Sequence, residues 1–292
     1  MHAPRPRLRL VVTGGGTGGH VFPIIAVLEE LRSRPLDLEV HWIGSSTGLE
    51  REAAAEAGIP FHPVAVGKLR RYVSLRNVLD SARVPLGSLQ SLALVRRLNP
   101  DVVFSTGGYV GVPAVVAAWM LRIPSLTHEQ TAMLGLATRI NARFSDVIAL
   151  SNQSTPRPNV RRSARVVVTG NPVRAALLDG DADAARSIFR LKGDRPLLYV
   201  TGGAQGAKAL NDAVAACLDD LLEMVEIVHQ TGPDKFNGSY SALNRQRAGL
   251  CTEKQARYHL VERTGNELAH LYAATDLVLS RSGAGTVTEL AA

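Results

Sequence analysis

Two stretches of this chain nearly repeat one another: VVTGGGTGGH at 11–20 and YVTGGAQGAK at 199–208. Each is a short apolar run, then a glycine turn, then the start of a helical pattern. The same grammar recurs along the chain. Strand-length apolar runs fall at 8–13, 38–43, 61–66, 101–105, 125–128, 147–150 and 165–168, and again at 196–200, 225–229, 258–261 and 277–279. Helical stretches separate them, as over 20–34, 47–57, 134–144 and 207–222. Strands joined through helices pair in parallel, so the sequence predicts an α/β fold of doubly wound sheets. Two series imply two Rossmann-like domains, 1–172 and 173–292, each with its loops at the carboxyl ends of its strands and the two facing across a cleft.

The first glycine turn is the richest, with five glycines in the six residues Gly14 to Gly19. Such a loop offers backbone N–H groups at a helix N-terminus, a geometry that holds phosphate or diphosphate. Gly14-x-Gly16-x-x-Gly19 also satisfies the dinucleotide fingerprint formally. That fingerprint wants an acid closing the second strand. Here the strand closes on His41-Trp42-Ile43-Gly44-Ser45, and Asp37 and Glu39 stand at its start. A nicotinamide or flavin is therefore not expected.

His20 begins the helix after this loop, where the helix dipole favours a neutral imidazole; it is the candidate general base. The alternative is a helix cap or a phosphate ligand. His128 and Glu129 end a strand, with a packing role as the alternative. Arg174 follows Gly170-Asn171-Pro172 at the junction of the halves and suits a phosphate or nucleotide. Glu289 lies one helical turn after the loop at 283–286, within reach of a ribose diol there. The acidic run Asp179-Gly180-Asp181-Ala182-Asp183 suggests a metal at first sight. It precedes a helix, where acids complement the dipole, and no metal is assigned to it.

Charge divides with the domains. Residues 1–172 carry 20 Lys and Arg against 11 Asp and Glu, and residues 173–292 carry 13 against 15. The basic surplus fits anionic lipid headgroups or a diphosphate ligand. No nucleic-acid module is recognisable, and aromatic residues are scarce. No apolar run approaches the ~18 residues of a membrane span. Two cysteines, Cys217 and Cys251, form neither a disulfide framework nor a zinc motif. The chain ends inside a helical pattern, TVTELAA, and reads as C-terminally incomplete.

GGGTGGHVFP, GLE at 48–50, TGGYVGVPAVVAAW at 106–119, HEQ at 128–130, GNPVR at 170–174, TGGAQGAKALN, HQTG at 229–232 and SRSGAGTVTEL together resemble the MurG family. These are the N-acetylglucosaminyltransferases of glycosyltransferase family 28. The resemblance implies a GT-B fold and inverting, metal-independent transfer of GlcNAc from UDP-GlcNAc to the 4-hydroxyl of lipid I, giving lipid II for peptidoglycan. It implies His20 as the base. Donor contacts would come from Thr17, Gly18, Gly19, Arg174, Gly203, Ala204, Gln205, Gly265, Ala284, Gly285, Thr286 and Glu289. Acceptor contacts would come from Gly16, Gly107, Gly108, Tyr109, Glu129 and Thr131. A peripheral site on the cytoplasmic face of the bacterial plasma membrane is implied, with a docking patch of Lys68, Arg70, Arg71, Val73, Leu75, Arg76, Leu79 and Trp119. Other cell-wall synthesis proteins would be partners. The chain departs from the usual family pattern at Thr131, Ala204 and Gly265, and the usual segment after SGAxTxxE does not follow. A related transferase acting on a diacylglycerol or secondary metabolite, or an inactive membrane-binding fragment, are the alternatives.

Overall fold

The computed structural model describes residues 7–67 and 75–292; the side chains of 75–84 are not among those described. Lys68, Arg70, Arg71 and Val73 thus lie outside the described residues, as do the side chains of Leu75, Arg76 and Leu79. The chain divides into two compact units, Met1–Pro172 and Val173–Ala292.

The first unit runs β1 (Arg7–Thr13), α1 (Gly18–Ser33), β2 (Asp37–Ser45), α2 (Leu49–Glu56), β3 (Phe61–Val64), α3 (Leu75–Leu98), β4 (Val102–Ser105), α4 (Gly108–Leu121), β5 (Ser125–Glu129), α5 (Leu136–Asn141), β6 (Val147–Leu150) and β7 (Arg165–Val168). Its seven strands pair in the order β3-β2-β1-β4-β5-β6-β7. Every pairing is parallel. Both faces of β1 are covered along its second half, so it reads as an apolar run over Leu10, Val11 and Val12, after Arg7 and Arg9 at its exposed start. Leu10 and Val12 point to one face, where Val21, Ile24 and Leu28 of α1 and Trp42 close a core. Val11 points to the other, against Val95 of α3 and Ala117 and Ala118 of α4. Burying each large side chain of this kind contributes roughly 1.5–3 kcal/mol.

α3 runs through Pro85 and Gly87. Gly87 fits because its backbone rests on β3's exit: a Cβ there would meet the Ala65 carbonyl oxygen.

The second unit begins with a single 3-10 turn (Ala175–Leu177), then α6 (Ala182–Phe189), β8 (Leu197–Thr201), α7 (Lys208–Ala216), α8 (Leu218–Met224), β9 (Glu226–Gln230), α9 (Asp234–Asn237), α10 (Ser239–Ala248), α11 (Thr252–Gln255), β10 (Tyr258–Val261), α12 (Leu268–Ala274), β11 (Leu277–Ser280) and α13 (Ala284–Ala291). Four strands pair in the order β10-β9-β8-β11, again all parallel. The acidic run does what its position predicts: Asp181 caps α6, accepting from the Asp183 and Ala184 N–H groups. The sequence reading of one helix over 207–222 with Cys217 inward is corrected. The backbone breaks at Cys217. Val214, Leu218 and Leu222, spaced four apart, stay on the buried face across the break, and Cys217 is exposed.

In both sheets the strand order reverses at one place. In the first unit this is between β1 and β4, and in the second between β8 and β11. Loops leaving the carboxyl ends of such a pair diverge and leave a crevice, which is where ligands sit on open α/β sheets. The loops at 14–17 and 106–107 share the first of these points, and those at 202–207 and 281–283 share the second.

Candidate active site and sugar-nucleotide loops

The glycine loop of the first unit is braced from beneath by a carboxylate. Glu50, fully buried at the start of α2, accepts from the Ser45 N–H at 3.0 Å and the Gly16 N–H at 3.0 Å. The glycines around it are required by space. A Cβ on Gly15 would lie 2.3 Å from the Glu50 Cδ, and one on Gly44 2.8 Å from its Cγ. The Trp42 indole N–H donates to the Gly14 carbonyl from the other side, at 3.3 Å. The loop is therefore preorganised. It also differs from the anion cradle of the sequence reading in one respect: the Gly16 N–H is engaged by the protein's own carboxylate.

His20, half-buried in the first turn of α1, is held by two oxygens. Its Nδ1 lies 2.8 Å from the Thr106 carbonyl and 3.0 Å from Gln130 Oε1. Both oxygens accept, so Nδ1 carries a proton, and in the neutral ring Nε2 is the nitrogen with the lone pair. The Thr106 hydroxyl donates back to the His20 carbonyl at 2.5 Å, tying α1 to the β4 loop. The imidazole lies in a slot made by Gly107 and Gly108. A Cβ on Gly108 would sit 3.2 Å from His20 Cδ2, and one on Gly107 3.7 Å from Cε1. Both glycines have positive φ, +82° and +72°. Tyr109 lies against Gly16, whose Cβ would meet its ring at 3.1 Å.

Glu129 is buried and clamps its own loop. Its Oε1 accepts from the Thr131 N–H at 3.2 Å and hydroxyl at 2.7 Å, and its Oε2 from the Gly135 N–H at 3.0 Å. The structure thus places Glu129 and Thr131 together as a loop clamp rather than as two separate groups. Beside them, Gln130 and His128 form a buried pair; sequence reasoning singled out His128 at the strand end but gave Gln130 no role of its own. Only the position of HEQ, at the carboxyl end of β5, hinted at them.

In the second unit, Gly203 turns the β8 loop at φ +80°, and a Cβ there would lie 3.2 Å from the Arg281 guanidinium of the β11 loop. Gln230, buried at the end of β9, joins three elements. Its Oε1 accepts from the Tyr199 hydroxyl at 2.6 Å and the Thr264 hydroxyl at 2.8 Å. Its Nε2 donates to the Gly203 carbonyl at 3.2 Å. Burial pushes the Tyr199 phenol up to about 12, which keeps it a donor. Gly265, next to Thr264, is exposed, as is Gln205, while Ala204 is half-buried.

Arg174 and Glu289, separated by most of the unit in sequence, come together: guanidinium and carboxylate are 3.9 Å apart. The Tyr272 hydroxyl donates to Glu289 Oε2 at 3.2 Å. Burial raises the Glu289 carboxyl above its ordinary value, against the opposing pull of Arg174 and Tyr272. Glu289 projects from α13, whose first turn holds Ala284, Gly285 and Thr286. No cluster of three or more His, Cys, Asp or Glu suited to a metal occurs among the described residues.

Residues 10–150 match the glycosyltransferase family 28 N-terminal domain, and residues 197–292 match its C-terminal domain. The chain belongs to glycosyltransferase family 28. Within this family it is 42% identical over 284 residues to a UDP-N-acetylglucosamine–N-acetylmuramyl-(pentapeptide) pyrophosphoryl-undecaprenol N-acetylglucosamine transferase of Treponema pallidum, covering 97% of this chain and 72% of that one. It is 38% identical over 283 residues to the enzyme of the same name in Legionella pneumophila, covering 97% and 74%. Among solved structures it is similar to MurG of Acinetobacter baumannii, with TM-score 0.64, 26% identity, and 99% and 76% of the two chains covered. A UDP-GlcNAc 2-epimerase of Neisseria meningitidis shares the fold at TM-score 0.58 and 14% identity over 95% and 78% of the two chains. The family 28 chain therefore has the two parallel-sheet α/β domains of the GT-B class. No described helix is long and apolar enough to cross a membrane.

Proposed function

We propose that this chain transfers N-acetylglucosamine from UDP-GlcNAc to the 4-hydroxyl of undecaprenyl-diphospho-MurNAc-pentapeptide, converting lipid I to lipid II with inversion at the anomeric carbon. The observation that carries the mechanism is the state of His20. Its Nδ1–H is bound to Thr106 and Gln130, so Nε2 is the basic nitrogen at the switch point of the first sheet. It removes the acceptor proton as the anomeric C–O bond to UDP breaks, a role that contributes on the order of 10²–10⁴-fold. Gly16, Gly107, Gly108, Tyr109, Glu129 and Thr131 shape the acceptor side, and Thr17, Gly18 and Gly19 the junction with the donor.

The second unit takes UDP-GlcNAc. The β8 loop, with Gly203, Ala204 and Gln205, and the N-terminus of α13, with Ala284, Gly285 and Thr286, meet the diphosphate. Gly265 lies at the uracil, Arg174 offsets charge on the leaving UDP, and Glu289 accepts from the ribose hydroxyls. The relatives' shared name supports this substrate pair.

The basic first unit docks on anionic lipid at the cytoplasmic face of the bacterial plasma membrane through Lys68, Arg70, Arg71, Val73, Leu75, Arg76, Leu79 and Trp119, where other cell-wall synthesis proteins are its partners. Trp119 is 45% exposed and packs edge-on against Phe144 at 5.1 Å, which leaves part of its ring to face lipid.

The test is UDP release with a lipid I analogue, with diacylglycerol as the competing acceptor. Turnover with lipid I alone is expected. Turnover with diacylglycerol alone would replace the substrate, and none with either would remove the catalytic reading. His20→Ala is expected to lower kcat with the donor KM nearly unchanged. Charge reversal at Arg70, Arg71 and Arg76 is expected to abolish binding to anionic vesicles; binding that persists would refute the patch.

A further inference from the structure

Behind His20 runs an unbroken chain of oriented hydrogen bonds. His20 Nδ1–H reaches Gln130 Oε1 at 3.0 Å. Gln130 Nε2 donates to His128 Nδ1 at 3.1 Å and to the His128 carbonyl at 3.0 Å. His128 Nε2 donates to the Gly170 carbonyl at 3.0 Å.

We propose that Gln130 is the positioning residue of His20, fixing it as the Nδ1–H tautomer in one ring orientation so that Nε2 is the nitrogen offered to substrate. The inference deepens the reading of His20 as base and rests on it.

Three features carry the argument. First, the direction of the chain is set at both ends by carbonyls, which only accept. Gly170 requires a proton on His128 Nε2, which leaves His128 Nδ1 as an acceptor. That nitrogen and the His128 carbonyl together require the NH₂ end of Gln130. Its oxygen must then face His20, and an amide flip would set oxygen against oxygen. Second, His128 is buried, and burial lowers its tendency to charge. It stays neutral and keeps its single acceptor nitrogen. Third, the slot formed by Gly107 and Gly108 holds the His20 ring closely. Turning the ring over would replace Nδ1 by carbon before both oxygens.

No proton travels along this chain, since a carboxamide and a peptide carbonyl end it. The hydroxyl proton goes to His20 Nε2 and the ring becomes imidazolium. Its Nδ1–H then bonds more strongly to Gln130 Oε1 as charge develops, an interaction made chiefly in the transition state. The Glu129 carboxylate, next in sequence, is turned to Thr131 and Gly135 and leaves this role to the amide.

The experiment is nitrogen-15 NMR of the histidine-labelled protein at neutral pH, with steady-state kinetics of Gln130→Met, which keeps length and removes the oxygen. Wild-type His20 is expected to show a protonated Nδ1 and an unprotonated Nε2. In Gln130→Met the Thr106 carbonyl still accepts from Nδ1, so the Nδ1–H form is expected to remain the major one with a second tautomer or ring orientation now measurable beside it, kcat about tenfold lower and both KM values within roughly twofold. A wild-type proton on Nε2 would overturn the proposal even if the variant fails to fold. So would Gln130→Met with unchanged tautomer and kcat. If the tautomer follows Gln130 while His20→Ala retains kcat, the positioning stands and the base assignment falls.

Discussion

Replacing the Glu50 carboxylate tests whether the first glycine loop is held from beneath. Glu50 has no solvent exposure and accepts from two backbone N–H groups, each at 3.0 Å. Glu50→Gln preserves its shape. Its amide oxygen serves one N–H, and its NH₂ then faces the other. Leaving one buried donor opposed costs about 2 kcal/mol. For a unit of this size that lowers the unfolding midpoint by roughly 4–8 °C. Glu50→Ala leaves both donors unmet and opens a cavity, costing about 5 kcal/mol. Gly15→Ala attacks the same contact from the other side, since its Cβ would lie 2.3 Å from the Glu50 Cδ. The assay is built into the sequence. Both tryptophans of the chain, Trp42 and Trp119, lie in the first unit, so intrinsic fluorescence follows that unit alone. Trp42 also touches the loop through Gly14. A Glu50→Gln midpoint within about 1 °C of wild type would refute the bracing argument, because the lost bond would then carry no net free energy.

Three further outcomes follow from the same geometry. His229 is buried between Tyr258 and Asn211, and burial depresses it to about 4 from 6.5. Its native preference for the neutral form stabilises the second unit above the unfolded value and is lost as pH falls toward 4, a change of roughly 3 kcal/mol. Calorimetry of the transition without a fluorescence change measures it, and His229→Gln is expected to remove the pH dependence. Glu289 is raised by burial, so UDP affinity is expected to fall as pH drops through a value above the ordinary 4.5, and Glu289→Gln is expected to flatten the profile; a wild-type profile already flat would remove the ribose role. The same shift means this group's share of stability is present at low pH and lost as pH rises through its raised value. Gly108→Ala puts a methyl 2.9 Å from the Gly15 carbonyl and 3.2 Å from His20 Cδ2 at φ +72°. It is expected to lower kcat about tenfold or more and to lower stability as well, because the close atom is backbone and φ is left-handed, and unchanged kcat would show the slot to be slack.

The parallel, doubly wound sheets were legible because strands buried on both faces write themselves as apolar runs, and the residues between them as glycine turns and helices. Leu10-Val11-Val12 is such a run, and the turns at 14–16 and 202–203 mark the two switch points. His20 was legible for the same reason: it stands next to a turn whose place in the topology is known. Gln130 was not. Its meaning depends on an oxygen meeting a ring nitrogen 110 residues away, and local sequence carries no trace of that. The Arg174–Glu289 approach is of the same kind; each residue was visible alone and the pairing was not. The break at Cys217 was hidden because an unbroken helix over 207–222 has an equally good apolar stripe. The buried positions Val214, Leu218 and Leu222 keep helical spacing across the break, so the apolar pattern carries no mark of it.

The two glycine loops, alike in sequence, are supported differently, and the difference bears on which substrate each serves. Beneath the first loop stands a carboxylate, taking up the Gly16 N–H and opposing the positive end of α1. Beneath the second stands a neutral amide, Gln230, which holds the Gly203 carbonyl, while the Gly203 N–H donates to the Thr201 hydroxyl, so no carboxylate takes up that N–H. A diphosphate, the most highly charged part of a sugar nucleotide, is better met where no buried carboxylate sits under the loop. The second unit adds Arg281 beside Gly203 and Arg174 near α13, both of the sign a leaving UDP needs. The first unit adds an imidazole whose proton already sits on the inner nitrogen. Rossmann-like loops that look interchangeable in sequence differ in the side chain underneath, and in the proposed reaction the first would serve removal of a proton from a hydroxyl and the second the charge that departs.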